Sequence, residues 1–446
     1  LPDGAELGLE IAWKRPIGSG YSGIAVGADK LVTMFRDGDD DVIAAFDPAS
    51  GSELWRFPIG PTYLGHDGSF SGPISTPLIH GERVIGLGPR GRLFALDAAE
   101  GGLLWSLELG EEFGSRGPPY GFGTSPIVLE DTLIVQVGGK GVMVAGLDPT
   151  SGEVRWTAGK DIVGYQSPVP ITLEGRAQVL VSGFREILGL DPRSGEVLWR
   201  FEHGGTGSLG AGKLVPIPVG DDRVFLAFKD DSSTLVALRP SHPESPGEHL
   251  WEARTIRNSW QVPVYYDGFV FGFNSRFLTA VDVATGEAAW KSRPPGDGFP
   301  LLVGDDLVLL TKNGSLHVID ASPVGYVERA ALQVFEDELA WSPPSYGFGS
   351  FFVRSLGELA RVDVRPTARL AHAEGETGGE PPAGSGFAAF LNEIEAARDK
   401  TAVIDAYLAA QPSFPIVEGR ELVHFVYRGS ALDVSIAGDV IGSRHE

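Results

Sequence analysis

The 446-residue chain sets 59 Asp and Glu against 36 Lys and Arg, a net charge of -23, and contains no Cys. That acidity excludes nucleic acid, which requires a basic footprint, and adhesion to anionic lipid; the lack of Cys excludes disulfides, thiolate metal sites and cysteine nucleophiles. No apolar run approaches the ~18 residues of a membrane span, and the length accommodates two or three average domains or one large repeat architecture.

The chain opens at Leu1 without a charged or apolar leader, which reads as a processed or trimmed chain and is compatible with export. Ile11-Ala-Trp13-Lys follows as a lone strand. From Trp13 onward, Trp55, Trp105, Trp156, Trp199, Trp251 and Trp290 recur at intervals of 39 to 52 residues. Five of them close one phrase: Asp47-Pro-Ala-Ser-Gly51 to Trp55, Asp97 to Gly101 and Trp105, Asp148 to Gly152 and Trp156, Asp191 to Gly195 and Trp199, and Asp282 to Gly286 and Trp290. Gly follows Asp by four residues and Trp follows it by eight. Such a period marks an array of small supersecondary units.

Each unit reads as four short antiparallel strands. The first carries Pro after a small polar residue, as in Thr76-Pro77, Ser125-Pro126 and Ser167-Pro168. Tight acidic or Gly turns lead to an apolar second strand, and the third ends on the Asp of the phrase. Asp opens the hairpin by accepting backbone hydrogen bonds, Gly supplies a positive φ, and Trp on the outer strand presents its face to the next unit. The Trp positions are therefore read as structural docking residues.

The phrase resembles the pyrroloquinoline-quinone (PQQ) repeat from residue 9 to about 366. Two units depart from it. In the fifth, Arg239 replaces Asp and a Pro-rich insertion displaces Trp251 to twelve residues on; in the seventh, Asp320 is kept but Glu328 stands at the Trp offset. The eighth stops after Leu359-Ala-Arg-Val-Asp363, so the strand at Trp13 is expected to complete it. The expected fold is all-β, an eight-bladed propeller of four-stranded antiparallel blades closed by the N-terminal strand.

The resemblance implies two kinds of function. Some members are PQQ-dependent dehydrogenases with calcium and PQQ in the central funnel, oxidising alcohols or sugars, often with adjacent cysteines there. Others, such as the propeller lipoprotein of the bacterial outer-membrane barrel-assembly machine, are cofactor-free scaffolds and partner binders. This chain has no Cys and no convincing Glu/Asn/Asp calcium set, so the leading expectation is a non-catalytic binding or scaffold propeller. It has no catalytic or metal residues, no cofactor, and a periplasmic or extracellular location. A PQQ-dependent dehydrogenase with PQQ and calcium is the alternative.

Beyond the ring, residues 367–386 read as a flexible linker and 387–411 as an amphipathic helical region, apolar at Phe387, Phe390, Leu391 and Ile394. Residues 412–446 read as two strands, Val423 to Gly429 and Val434 to Asp439. They resemble the start of the immunoglobulin-like region of enterochelin-esterase-like proteins. Such a sandwich needs ~100 residues, so either the chain is the N-terminal module of a larger esterase-like protein, which is favoured, or these strands dock on the propeller.

Catalytic motifs are lacking: no G-x-S-x-G, H-E-x-x-H or P-loop occurs. Asp37-Gly-Asp-Asp-Asp41 lacks EF-hand spacing and reads as a solvated turn. A basic residue stands in or beside the turn between second and third strands of every unit: Arg36, Arg90, Lys140, Arg185, Lys229, Arg276, Lys312 and Arg354. These turns share a face with the loops linking blades, which hold Tyr63, His66, Arg116, Tyr120, Phe122, Tyr165, Gln166, Arg257, Trp260, Trp341 and Tyr346. Trp260 and Trp341 fall outside the repeat rhythm. The funnel-face site is therefore expected at Trp260, Trp341, Tyr120, Tyr165, Arg116, Arg257, His66, Arg90, Arg185 and Arg276. It would bind a protein, carbohydrate or small anionic ligand.

Overall fold

Thirty-two strands assemble into eight antiparallel sheets of four. The computed structural model describes residues 1, 7–203, 214–227, 232–239, 241–242, 246–257, 260–336 and 338–366, and two short strands near the C-terminus. Seven sheets are continuous in sequence, at 25–61, 78–108, 127–158, 169–202, 217–253, 264–292 and 298–333. These are blades 1 to 7. Blade 8 joins residues 345–366 to the N-terminal strand Leu7–Pro16, which pairs with Glu358–Pro366, Leu9 opposite Val364 and Lys14 opposite Ala360. The molecule is thus an eight-bladed β-propeller closed by its own N-terminus, and closure leaves no blade seam open.

The second and third strands of each blade are buried on both faces. They therefore read as unbroken apolar runs such as Leu31–Phe35 and Leu307–Leu310, whereas the outermost strands alternate. The core is divided among eight clusters, one for each seam. Ile85, Leu87 and Leu93 of blade 2, for example, meet Leu133, Val135 and Leu147 of blade 3.

The outer end of most seams is closed by the repeated tryptophan. Trp13 Nε1 donates to Pro48 O at 3.1 Å, Trp55 to Ala98 O at 3.0 Å, Trp105 to Pro149 O at 3.2 Å, Trp156 to Pro192 O at 3.2 Å and Trp251 to Val283 O at 2.8 Å. Each acceptor directly follows the Asp of the next blade's phrase. The Gly of that phrase lies under the indole. A Cβ built on Gly101 would stand 2.7 Å from Trp55, and one on Gly195 would stand 2.4 Å from Trp156. With φ at +74° and +70°, these positions thus exclude a side chain for two independent reasons.

Asp191 holds the hairpin by accepting from the amides of Arg193 and Ser194. Burial pulls its pKa upward, but Arg176 and those hydrogen bonds outweigh burial and bring it down to about 2.

The irregular units are repaired locally. Blade 5 offers no phrase Gly, so Trp199 turns to Gln178 of its own blade at 2.8 Å, and Phe201 packs on Gly247 instead. In blade 7, Glu328 pairs with His317 and accepts from the Tyr326 hydroxyl, while Phe335, Phe351 and Val362 fill the seam with blade 8. Arg354 lies in the seam between blades 8 and 1, 1% exposed, donating to the carbonyls of Gly18, Ser22 and Met34 and to the Thr33 hydroxyl.

Leu1–Thr367 forms one compact unit and Ala368–Glu446 a second. In the second, Ile416–Glu418 pairs antiparallel with Leu422–His424. This pair lies upstream of the hairpin expected at Val423 to Asp439, most of which, with the linker at 367–386 and the helical region at 387–411, lies outside the described residues. Among the described residues no helix is long and apolar enough to cross a membrane.

The indole-on-glycine contact makes a quantitative prediction. Trp156→Ala lowers the unfolding free energy by about 3–5 kcal/mol, and Gly195→Ala lowers it by about 2 kcal/mol or more through backbone strain and overlap. In denaturant titrations the double variant loses less than the sum, because removing the ring removes the overlap. Strict additivity would show that the two do not act on each other.

Candidate functional site

The loops that link blades gather at one end of the ring in two tiers. In the lower tier, the residue opening the inner strand of blades 1, 2 and 3 passes a hydrogen bond to the next blade. Gly23 N donates to the Thr76 hydroxyl, Thr76 N to the Ser125 hydroxyl, and Ser125 N to the Ser167 hydroxyl, at 2.8 to 3.1 Å. The small polar residue before Pro is therefore an acceptor for its neighbour's amide.

In the upper tier, tyrosines stitch loop to loop. Tyr21 Oη accepts from Phe70 N at 2.8 Å, Tyr63 Oη donates to Pro119 O at 2.7 Å, and Tyr165 Oη accepts from Tyr120 N at 3.0 Å. Burial raises the pKa of all three phenols, Tyr165 to about 12.

These loops enclose a cavity of about 470 Å³. One wall is a cluster in which Trp260 stands edge-to-face with Tyr165 at 5.5 Å and Tyr120 at 6.1 Å, and Tyr120 meets His66 at 5.5 Å. Trp260, in the loop after blade 5, thus touches loops after blades 2 and 3, reaching across the funnel. The other wall is Trp341, edge-to-face with Tyr21 at 6.4 Å and Phe299 at 5.8 Å. Lys312 Nζ lies 4.2 Å from the Trp341 ring centroid and is paired with Asp297. Asp67, Ser69, Thr76 and Ser125 add polar groups to the lining, and Gly23, Gly65, Gly68, Gly72 and Gly123 expose backbone.

Of the site residues expected from sequence, Trp260, Trp341, Tyr120 and Tyr165 line this single cavity and His66 abuts it. The basic residues do not join them. Arg90 donates to Pro61 O and Thr62 O beside the Tyr63 ring, and Arg116, Arg185, Arg257 and Arg276 are exposed away from the lining. The basic rim is likewise broken up. Seven of its eight members occupy the expected turns and Lys229 lies outside the described residues. However, Arg354 is spent inside a seam, where burial lowers its pKa to about 9, and Lys312 is neutralised by Asp297. Phe122 packs in the core between blades 2 and 3, and Gln166 is buried.

Sequence reasoning missed Tyr21, Phe70, Phe299 and Asp67. A signal for some of the lining exists. Ile74, Gly123, Tyr165, Trp260 and Trp341 each stand three residues before a Pro that opens an inner strand, and Tyr21 stands three before Ile24 in the unit lacking that Pro.

The family described as outer membrane protein assembly factor BamB matches residues 39–184 and again 183–323, well over half of the chain. The chain belongs to that family. Among solved structures, BamB from Moraxella catarrhalis superposes with a TM-score of 0.58 at 17% identity, over 80% of this chain and 97% of that one. The quinohemoprotein alcohol dehydrogenase from Comamonas testosteroni gives 0.57 at 14%, over 79% and 76%. A europium-containing methanol dehydrogenase gives 0.57 at 11%, over 80% and 93%. At these identities the likeness is one of fold. No curated protein matches the sequence.

The dehydrogenase neighbours raise the question of whether the cavity of this BamB-family propeller suits PQQ and calcium. PQQ is a planar quinone with three carboxylates, which need cationic partners, and calcium takes six to eight oxygen ligands. Among the described residues the lining offers one carboxylate, Asp67, and neither Lys nor Arg. That donor set does not fit the pair.

The loop that carries Asp67 is anchored by a buried carboxylate. Asp41 Oδ2 accepts from Tyr63 N at 2.9 Å. Burial pushes the Asp41 pKa up to about 6 against the opposing pull of the Tyr63 amide, Arg90 and Arg36. A pKa raised on folding means that the folded state binds the proton more tightly. Its contribution is therefore full below the unfolded value of ~4 and is lost as pH rises through about 6. Denaturant unfolding between pH 4 and pH 7 is expected to show wild type losing on the order of 2 kcal/mol relative to Asp41→Asn, which keeps the acceptor for Tyr63 and removes the titration. Parallel curves would refute the assignment.

Proposed function

We propose that this BamB-family chain is a non-catalytic, exported binding propeller whose central aromatic cavity is its ligand site. The observation that carries the reading is the convergence of Trp260, Tyr120 and Tyr165 with Trp341 and Tyr21 from five inter-blade loops onto one cavity. Concave, largely apolar sites with a few placed polar groups are where small ligands bind. Two indoles that close no seam are there although the repeat does not call for them. The phenols of Tyr21, Tyr63 and Tyr165 support binding over chemistry, since their hydroxyls are engaged with backbone groups and burial raises their pKa.

The family's name, an outer membrane protein assembly factor, supports a periplasmic or extracellular setting and a protein partner. The proposal also takes 367–386 as a linker, 387–411 as a helical region and 412–446 as the start of an immunoglobulin-like domain in a longer esterase-like protein. The reading frame past Glu446 tests that part.

The competing reading is a PQQ-dependent dehydrogenase, favoured by the fold of two neighbours and disfavoured by the lining. With PQQ and calcium added, a dye-linked alcohol or sugar oxidation assay is expected to give no rate above background. A reproducible rate requiring both would move the chain to the dehydrogenases. In a fragment screen by ligand-observed NMR, hits on wild type are expected to lose binding at least about tenfold in Trp260→Ala. Hits indifferent to that substitution would displace the site from the cavity.

A further inference from the structure

Several of the cavity's polar groups already hold one partner. Tyr21 and Tyr165 accept backbone amides, Tyr63 donates to Pro119 O, the Thr76 and Ser125 hydroxyls accept from Gly23 and Thr76, and the Ser69 hydroxyl accepts from His66 N. A saccharide, whose many hydroxyls each need a partner on leaving water, would share these groups with the backbone they already hold. A carboxylate meets aromatic rings and Asp67, with no basic side chain among the described lining residues. The aromatic lining suits best a cation that requires no hydrogen bond.

Three features favour such a cation. Aromatic faces attract it, most strongly indole. Asp67, exposed at the mouth, supplies a counter-charge, and the net charge of -23 draws cations toward the protein. The Trp341 ring already accepts a cation on one face, where Lys312 sits 4.2 Å from its centroid. The Lys312 charge is balanced by Asp297.

We infer that the cavity binds a quaternary or otherwise alkylated ammonium compound, held between the aromatic walls that carry Trp260 and Trp341 with Asp67 as counter-ion. The inference rests on the reading of this cavity as the ligand site. At about 470 Å³ the space exceeds one trimethylammonium group, so the ligand carries an uncharged remainder.

Calorimetric titration of the full chain decides it, with choline and benzyltrimethylammonium as cations. 3,3-Dimethylbutan-1-ol serves as choline's shape without its charge, and maltose and phenylacetate represent the other classes. The cations are expected to bind, and the neutral alcohol at least about tenfold more weakly. Trp260→Ala and Trp341→Ala are each expected to weaken the cations about tenfold, with circular dichroism unchanged. Asp67→Asn, at an exposed position that folding does not depend on, is expected to weaken them severalfold and flatten their salt dependence. If the alcohol binds as tightly as choline, or maltose or phenylacetate binds in a Trp260-dependent way in place of the cations, the cation inference is overturned and the ligand site stands. If no probe binds in a manner sensitive to Trp260, Trp341 or Asp67, both fall.

Discussion

An indole laid over the backbone of a glycine in the neighbouring blade is the contact on which the ring depends. Twisted four-stranded sheets set side by side touch well along their middle strands and diverge at the perimeter, where the edge strand would otherwise face water. Trp55 over Gly101 and Trp156 over Gly195 fill that divergence and fix it with one hydrogen bond from the indole nitrogen. The geometry tolerates no side chain at the glycine, and the hairpin needs a positive φ there, so one residue type answers both demands. Where the phrase fails, the seam finds other means: Phe201 on Gly247, or the cluster around Phe335 and Phe351.

Fixing the perimeter in this way leaves the funnel end to be specified separately. There the blades are tied by small groups: a hydroxyl taking the previous blade's amide at Thr76, Ser125 and Ser167, and tyrosine hydroxyls pinned to adjacent loops. These ties hold the loops after blades 8, 1, 2 and 3 in place and turn their aromatic rings toward the axis. The two tryptophans are held differently, through edge-to-face packing: Trp260 on Tyr120 and Tyr165, Trp341 on Tyr21 and Phe299.

The ring was legible because its determinants are local and repeated. Asp, Gly and Trp at fixed offsets announce a hairpin and its neighbour without any knowledge of the tertiary structure, and the unpaired strand at Trp13 implied the closure found between Leu7–Pro16 and Glu358–Pro366. The cavity was half legible. Trp260 and Trp341 stood out because the repeat did not need them, while Tyr21 and Phe299 hid among ordinary loop and strand aromatics.

The basic rim was misjudged because equivalent turns share a place in the fold but not a fate for the side chain. Arg276 reaches solvent, whereas Arg354, in the same turn of its blade, satisfies carbonyls across the closing seam. Which of these occurs depends on the segment leading into the neighbouring blade and on that blade's second strand, and no spacing rule encodes that.

The two places where the phrase decays are also the two that feed the tryptophan walls. Blade 5, with Arg239 and its insertion, leads into the loop bearing Trp260; blade 7, with Glu328 at the Trp offset, leads into the loop bearing Trp341. Blades that keep the phrase send out loops carrying tyrosine or smaller residues at the corresponding position, such as Tyr165 and Gly123. A departure from a local rule that brings no gain in packing is expected at positions answering to something other than folding. Here the departures leave seams that need repair, by Gln178 in one case and by an enlarged apolar cluster in the other. An indole facing the cavity follows each of them. Relaxed perimeter and furnished interior are thus consecutive in the chain, which is the pattern expected if the cavity, rather than the ring, set the sequence of those two units.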